Sequence, residues 1–514
     1  MYNRQTNEAW KYHNITKHPG IPPHYLDWEN QPIPFKIYTS LEGIEIPKDL
    51  PYSNVPALDS ISKLPTDRDT VCIPDLTTLG RLMFLCAGIT KKVKRPGGDF
   101  YFRAAACTGA LYHIDLYIVT GDIKGLDAGV YHFGPHDFSL RRLRKGDFRS
   151  LIAETAAQEE SVVRAPVIYI FTSSLWRNAW KYQSRTYRHA FWDNGTILAN
   201  LLALASAYKI PAKIVMGFVD SKLNQLLGLD TYKEVVVSLV SVGNLKKSVS
   251  GKISVLEEIK YESMPFSKNE IDYPRIRAIH LASSLKTEDE VKEWRIVTIE
   301  PPAHELRGKQ FPLDIDEEEV DLVSNTIEKT ILKRGSTRQF ARVSITFRQL
   351  SNLLYHSTRG IPADFLYTPG TSLNDIYLIV NYVEEIPKGS YYYSRNNNVL
   401  ELLKEGDFRR KAGQLGLGQD LPQDSSVNIF FLSDLNIVLE KFGNRGYRAA
   451  QLEAGIIGGK LYLGAYGLGL GASGLTFFDD DVTRFFSPHA QGKSTMFLIA
   501  LGKSVKKKLG KDLQ

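Results

Sequence analysis

The chain repeats itself. Leu116-Tyr117-Ile118-Val119 returns as Ile376-Tyr377-Leu378-Ile379, and Gly146-Asp147-Phe148-Arg149 returns unchanged as Gly406-Asp407-Phe408-Arg409. Gly129 and Tyr131 recur as Gly389 and Tyr391, Tyr187-Arg188 as Tyr447-Arg448, and Phe218 with Asp220 as Phe478 with Asp480. Residue 377 lies 260 positions after 117, as 406 does after 146 and 447 after 187. One offset held over about a hundred residues makes the chain two copies of a single domain. The length of 514 residues agrees, since it exceeds what one hydrophobic core serves.

Each copy presents the same elements in the same order. A helix near Leu79–Gly88 or Leu350–Gly360 leads to a strand, Asp115–Thr120 or Asp375–Asn381. A hairpin follows, carrying Tyr131 and Phe133 or Tyr391 and Tyr393, and then a strand, Val167–Thr172 or Val427–Leu432. The next helix, Tyr187–Tyr208 or Tyr447–Tyr466, is rich in Ala, Leu and Gly, which predicts burial between layers or between the copies. A strand at Glu234–Val242 or Thr495–Leu501 closes each copy. Helices with mostly antiparallel strands give an α+β fold. The division expected is an extended arm (1–45), a first domain (46–249), a linker (250–317) and a second domain (318–514) opening on a helix at Glu318–Leu332. Pro265, Pro274, Pro301, Pro302, Pro312 and an acidic run from Asp314 to Glu319 support the linker.

Composition excludes several classes. No run of eighteen apolar residues appears and the first residues lack an apolar leader, so a cytoplasmic protein without membrane spans is expected. Cys72, Cys86 and Cys107 form neither a CxxC pair nor a disulfide framework. His113, His132 and His189 share no metal-ligand spacing and read as surface or structural, so no metal is expected. The net charge of +7 is spread widely, and no nucleic-acid module is recognisable. Its one dense cluster, Lys503 with Lys506, Lys507, Lys508 and Lys511, reads as a solvated tail or a phosphate neighbour.

The order of elements resembles the nitroreductase superfamily, and its details resemble the SagB/ThcOx-type, azoline-dehydrogenase-like branch. Arg334-Gly335-Ser336-Thr337-Arg338 is similar to the family's Arg-x-Ser-x-Arg flavin signature. Two guanidiniums and a hydroxyl on one short segment suit a phosphate and a ribityl chain. Arg103-Ala104-Ala105-Ala106-Cys107-Thr108-Gly109-Ala110-Leu111-Tyr112 resembles the branch's Arg-x-Ser-Pro-Ser-x-Gly-Ala-Leu-Tyr loop. In the family that loop comes from one subunit and touches the isoalloxazine of an FMN whose phosphate lies on the other. The resemblance therefore implies FMN contacts from Arg334, Ser336 and Arg338, and from Arg103, Ala106, Cys107, Thr108, Gly109 and Leu111. Cys107 replaces the usual serine and reads as a small buried thiol.

Gly469-Leu470-Gly471-Ala472-Ser473-Gly474-Leu475-Thr476 matches the family segment whose backbone approaches the flavin edge, which implicates Gly474, Leu475 and Thr476. Read as GxGxxG it follows a helix and precedes a strand, the reverse of a dinucleotide fold. Lys503 and Lys507 are implied to reach the FMN phosphate. Lys181-Tyr182 resembles the catalytic Lys-Tyr pair of azoline dehydrogenases, although a lysine beside a packing tyrosine is the bland reading. The second copy has Lys441-Phe442 there, without the phenol.

The losses are complementary. The first copy offers only Arg68 in its Ser62–Thr70 region, and the second has Thr368-Pro369-Gly370-Thr371-Ser372-Leu373-Asn374 where the flavin loop belongs. An intramolecular pseudo-dimer of such copies builds one good flavin site and one vestigial site. The function implied is an FMN-dependent oxidoreductase acting on a small molecule or a modified peptide, with NAD(P)H as a possible donor. The alternative is a flavin-binding or flavin-sequestering protein without redox turnover.

Overall fold

A computed structural model describes residues 2–20, 25–47, 51–63, 70–95, 98–249, 251, 256–299, 304–315, 325–366 and 371–505. Two seven-stranded sheets carry the fold, and every pairing in them is antiparallel. The first runs Ile44–Glu45, Ser139–Lys145, Gly129–Gly134, Ile114–Thr120, Val167–Ser174, Glu234–Val242, Ala212–Val215. The second repeats it as Lys309–Pro312, Val399–Glu405, Gly389–Ser394, Asp375–Val380, Val427–Ser433, Ser494–Gly502, Gly471–Leu475. The inner strands are buried along their length, as expected of β-branched and aromatic runs covered by helices.

The two central helices, Thr186–Ala207 and Asn444–Gly467, pack on each other between the sheets and are buried almost throughout. Their crossing explains Gly195 and Gly455. A Cβ on Gly195 would lie 2.5 Å from the carbonyl carbon of Gly455, and one on Gly455 would lie 2.8 Å from the backbone of Trp192. Only glycine permits that approach.

Buried ion pairs flank the crossing, each joining one copy to the other. Arg185 and Arg188 meet Asp479 at 3.2 and 2.6 Å, while Arg445 and Arg448 meet Asp220 at 2.7 Å each. The counterpart of Asp220 is therefore Asp479, and not Asp480 as the constant offset suggests. The second copy is one residue shorter before this helix (Asp220–Leu227 or Asp479–Phe486). Asp480 is exposed and meets Lys17.

Three segments differ from expectation. The arm is not simply extended: its helix Asn7–Ile15 reaches the second copy, where the Asn444 side chain accepts from the Ala9 amide at 3.0 Å, and Ile44–Glu45 forms a sheet edge. The segment expected as a linker carries helices Pro274–Ala282 and Glu288–Arg295, and its strand Lys309–Pro312 is the edge of the second sheet. The helix opening the second copy is Ile327–Lys333, while residues 316–324 lie outside the described residues. The first copy also holds a two-stranded hairpin, Ile89–Arg95 with Gly98–Arg103. In the second copy, residues 358–366 and 371–374 form no strand.

Candidate active site

A cavity of about 720 Å³ opens between the copies. The first copy contributes the 105–110 loop, Lys181, Tyr182, His189 and Asp193, and the second contributes Lys333–Ser336, Arg338, Tyr462 and Ser473–Thr476. Thus Ala106, Cys107, Thr108, Gly109, Lys181, Tyr182, Arg334, Ser336, Arg338, Gly474, Leu475 and Thr476, expected together from sequence, line one cleft. Its lining holds five cationic side chains, Lys91, Lys181, Lys333, Arg334 and Arg338, against the single carboxylate of Asp193, so it favours an anion. A wider groove of about 1020 Å³ beside helices Asp220–Leu227 and Pro274–Ala282 contains none of these residues.

Arg334 ties the two halves together. Its Nε donates to the Ala104 carbonyl at 2.9 Å and its Nη2 to that of Arg103 at 3.2 Å, so the second copy's basic segment braces the first copy's loop. Ser336 Oγ lies 3.2 Å from the Tyr462 hydroxyl, which also accepts from the Gly474 amide. The loop is held from below, where Thr196 Oγ1 donates to the Ala106 carbonyl at 2.6 Å. Gly109 has φ 65°, a conformation that favours glycine, and a Cβ there would fall 2.8 Å from the Tyr182 hydroxyl.

Lys181 and Tyr182 end the helix Leu175–Tyr182. The Lys181 Nζ lies 5.4 Å from the Tyr182 ring centroid, and the Tyr182 ring meets His189 edge-on at 4.6 Å. Their environments move them in opposite directions. Burial, then the nearby Arg338 guanidinium, lowers the Lys181 ammonium below its ordinary value. Burial, then the negative charge of Asp193, raises the Tyr182 phenol despite Arg338. Burial and Asp193 likewise raise the Cys107 thiol, so it stays neutral, as a packing thiol should.

Other expected residues fall elsewhere. Arg103 is buried, with its guanidinium donating to the Pro34 carbonyl at 2.6 Å and the Ile114 carbonyl at 3.3 Å, and it supports the loop's base instead of lining the cleft. Leu111 is a core residue. The Lys503 side chain is exposed and does not line the cavity. Lys507, Arg68 and Thr368–Gly370 lie outside the described residues. His113, His132 and His189 are all buried, and His189 lines the cleft. Sequence reading took His189 as surface or structural and passed over Trp192 and Asp193, although their spacing of three and four residues on one helix face, shortly after Tyr182, was a usable signal.

Among the described residues, the chain places side chains of its own at the pseudosymmetric position. Residue 363 joins the free edge of strand Ala212–Val215 as a parallel bridge to Ile214. The Asp364 carboxylate accepts from the Met216 and Gly217 amides, both at 2.8 Å. Arg295 donates to the Gly217 carbonyl at 3.0 Å, and the fully buried Trp294 packs on Phe442 with ring centroids 5.5 Å apart. Phe442 stands where the open cleft has Tyr182. Among the described residues no helix is long and apolar enough to cross a membrane, and no group of His, Cys, Asp or Glu is placed to hold a metal.

The sequence model of the Nitroreductase family matches residues 85–244 and again 331–503, well over half of the chain. MJ1384 of Methanocaldococcus jannaschii, whose name gives nitroreductase as a provisional assignment, is 23% identical over 157 residues, covering 30% of this chain and 76% of that protein. The trifolitoxin-processing protein TfxB of Rhizobium leguminosarum bv. trifolii is 29% identical over 153 residues, 27% of this chain and 39% of TfxB, a likeness that agrees with the SagB-type branch. A crystal structure from Anabaena variabilis, also provisionally titled a nitroreductase, aligns with TM-score 0.74 and 25% identity over 97% of this chain and 99% of its own. That alignment spans the tandem arrangement as a whole. With the family pattern found once in each copy, the chain belongs to the nitroreductase family as a tandem of two such domains.

Proposed function

We propose that the protein is an FMN-dependent oxidoreductase with a single flavin in the open cleft. The asymmetry of the two copies carries the reading: one cleft is open, cationic and lined by both, while Trp294, Arg295, Asp364 and Phe442 stand at the matching position among the described residues. FMN suits the residues present. Arg338, Lys333 and the Ser336 hydroxyl offer charge and a donor to a phosphate. The small side chains of the 105–110 loop and the backbone of Ser473–Thr476 leave flat walls for a ring system. The Thr476 hydroxyl is buried there without a protein partner, and about 720 Å³ is an ordinary size for a cofactor site.

A bound flavin supplies the two-electron chemistry, and the chain supplies binding, orientation and proton handling. Lys181, with its ammonium destabilised, is the proton acceptor, whereas Tyr182, held as the neutral phenol, donates a hydrogen bond to substrate. A nitroaromatic or quinone suits such a site, as does an azoline ring of a modified peptide, with NAD(P)H as donor. The peptide reading is favoured by the Lys181-Tyr182 pair together with the likeness to TfxB. A flavin-storage role predicts no reduction of bound flavin by NAD(P)H or by substrate, and anaerobic reduction monitored by absorbance separates the two.

Purified protein is expected to release one FMN per chain, measured by flavin absorbance against protein concentration. Two equivalents would contradict the single-site reading, and none would contradict the cofactor. Arg338→Ala removes a charge-assisted contact of about 1.5–3 kcal/mol, or roughly 10–150-fold in FMN affinity, with the lower end expected for this exposed residue. Arg334→Ala should cost more, because it also unties the 103–104 backbone. Arg68→Ala should do little, and fluorescence titration with FMN compares all three.

A further inference from the structure

The floor of the open cleft rests on one carboxylate. Asp193 accepts from the Thr108 amide at 2.9 Å, the Thr108 hydroxyl at 2.7 Å and the Cys107 thiol at 3.1 Å. It also lies 3.1 Å from His113 Nε2, and His113 Nδ1 lies 2.9 Å from the Ser173 hydroxyl. Thr108 is followed by Gly109, against which the Tyr182 hydroxyl rests. The carboxylate therefore reaches Tyr182 through two residues of loop.

The second copy supplies an internal comparison. Glu453 occupies the same position on its central helix, where it accepts from the Leu373 amide at 2.9 Å and the Asn374 side chain at 2.6 Å. That loop is pinned in the same way at its described residues Leu373 and Asn374, but with Phe442 in place of the phenol. Pinning the loop is common to both copies. The histidine, thiol and phenol around the acid belong only to the first.

We propose that Asp193 is a positioning residue of the open cleft, holding the 105–112 loop in register with the Tyr182 hydroxyl and fixing a negative charge beneath the cofactor. The proposal rests on the FMN reading above. A fixed anion at a site of low dielectric disfavours the negative charge that a flavin gains on reduction, so Asp193 holds the bound flavin's midpoint potential down. It also keeps Tyr182 a donor, since burial and this charge both oppose loss of the phenolic proton.

The test compares holoprotein with Asp193→Asn, Asp193→Glu, Thr108→Val and Glu453→Gln, reading flavin per chain, flavin dissociation rate and midpoint potential. Asp193→Asn should move the potential to a more positive value and release flavin roughly tenfold faster. Asp193→Glu should restore the potential. Thr108→Val, which drops one bond but keeps the charge, should speed release without moving the potential, and it serves if Asp193→Asn does not fold. Glu453→Gln should lower thermal stability and leave the potential alone. An unchanged potential in Asp193→Asn, an equal shift in Glu453→Gln, or a shift in Thr108→Val where Asp193→Asn does not fold overturns this proposal alone. A wild-type protein that binds no flavin overturns the FMN reading and this proposal with it.

Discussion

Lys181→Ala is expected to leave FMN bound and to slow flavin reduction by substrate about 10²–10⁴-fold, the usual worth of a positioned acid–base group. The acid limb of the pH profile gives the more specific result. Only the free amine accepts a proton, so the wild-type rate should rise with pH and level off above the Lys181 pKa. Burial and Arg338 lower that pKa, which places the limb below the ordinary lysine range. Arg338→Gln should carry the limb to higher pH, and Lys181→Ala should abolish it. Tyr182→Phe should cost less and leave the limb in place, because the phenol is not the group that titrates. Lys441→Ala is the control, being exposed at the matching position. Phe442 is not a silent control, because it packs on the buried Trp294. Stopped-flow reduction of flavin-verified protein measures all of these, and equal effects at Lys181 and Lys441 would return the pair to simple packing.

The second large effect concerns stability. Asp479→Ala strands Arg185 and Arg188 in the interior, and removing one partner of a buried pair typically costs about 3–5 kcal/mol. Asp220→Ala should match it through Arg445 and Arg448, while exposed Asp480→Ala should stay within about 0.5 kcal/mol. Urea unfolding of the three variants beside wild type checks this, and a cost for Asp480 equal to that for Asp479 would refute the pairing. Acid should act in the same direction. Burial pushes the Asp479 carboxyl up, but Arg185 and Arg188 outweigh burial and hold it well below the usual range. Asp220 behaves likewise between Arg445 and Arg448. With folded values below the unfolded one, their contribution is full above about pH 4 and is lost as pH falls through the folded values. The acid limb of wild-type stability should therefore flatten in Asp479→Ala.

How much of this was legible in the sequence depends on whether a residue's role is local. The repeat, the antiparallel strands and the central helices follow from periodicity, and Glu234–Val242 matches the structure at both ends. The motif residues of the cleft were legible because short segments carry them. Arg103 and Leu111 lie within the same motif, yet they turn toward the core, an orientation set by packing that no spacing reveals. The Asp220 counterpart was misplaced because a one-residue deletion breaks a constant offset after the central helix. The proline-rich stretch read as a linker because its helices Pro274–Ala282 and Glu288–Arg295 are short and amphipathic. Their apolar residues, such as Ile279 and Trp294, become core only when both copies are present.

The crossing of the central helices at Gly195 and Gly455 bears on how such a molecule is assembled. Each helix is buried around almost its whole circumference, so either half expressed alone would uncover a long face that only the other copy covers, and is expected to aggregate. In a two-chain dimer the same contact depends on subunit concentration. Here the intervening segment keeps the partner surface at an effective concentration on the order of millimolar, and dilution cannot separate the halves. A cleft shared between such halves stays assembled at any expression level.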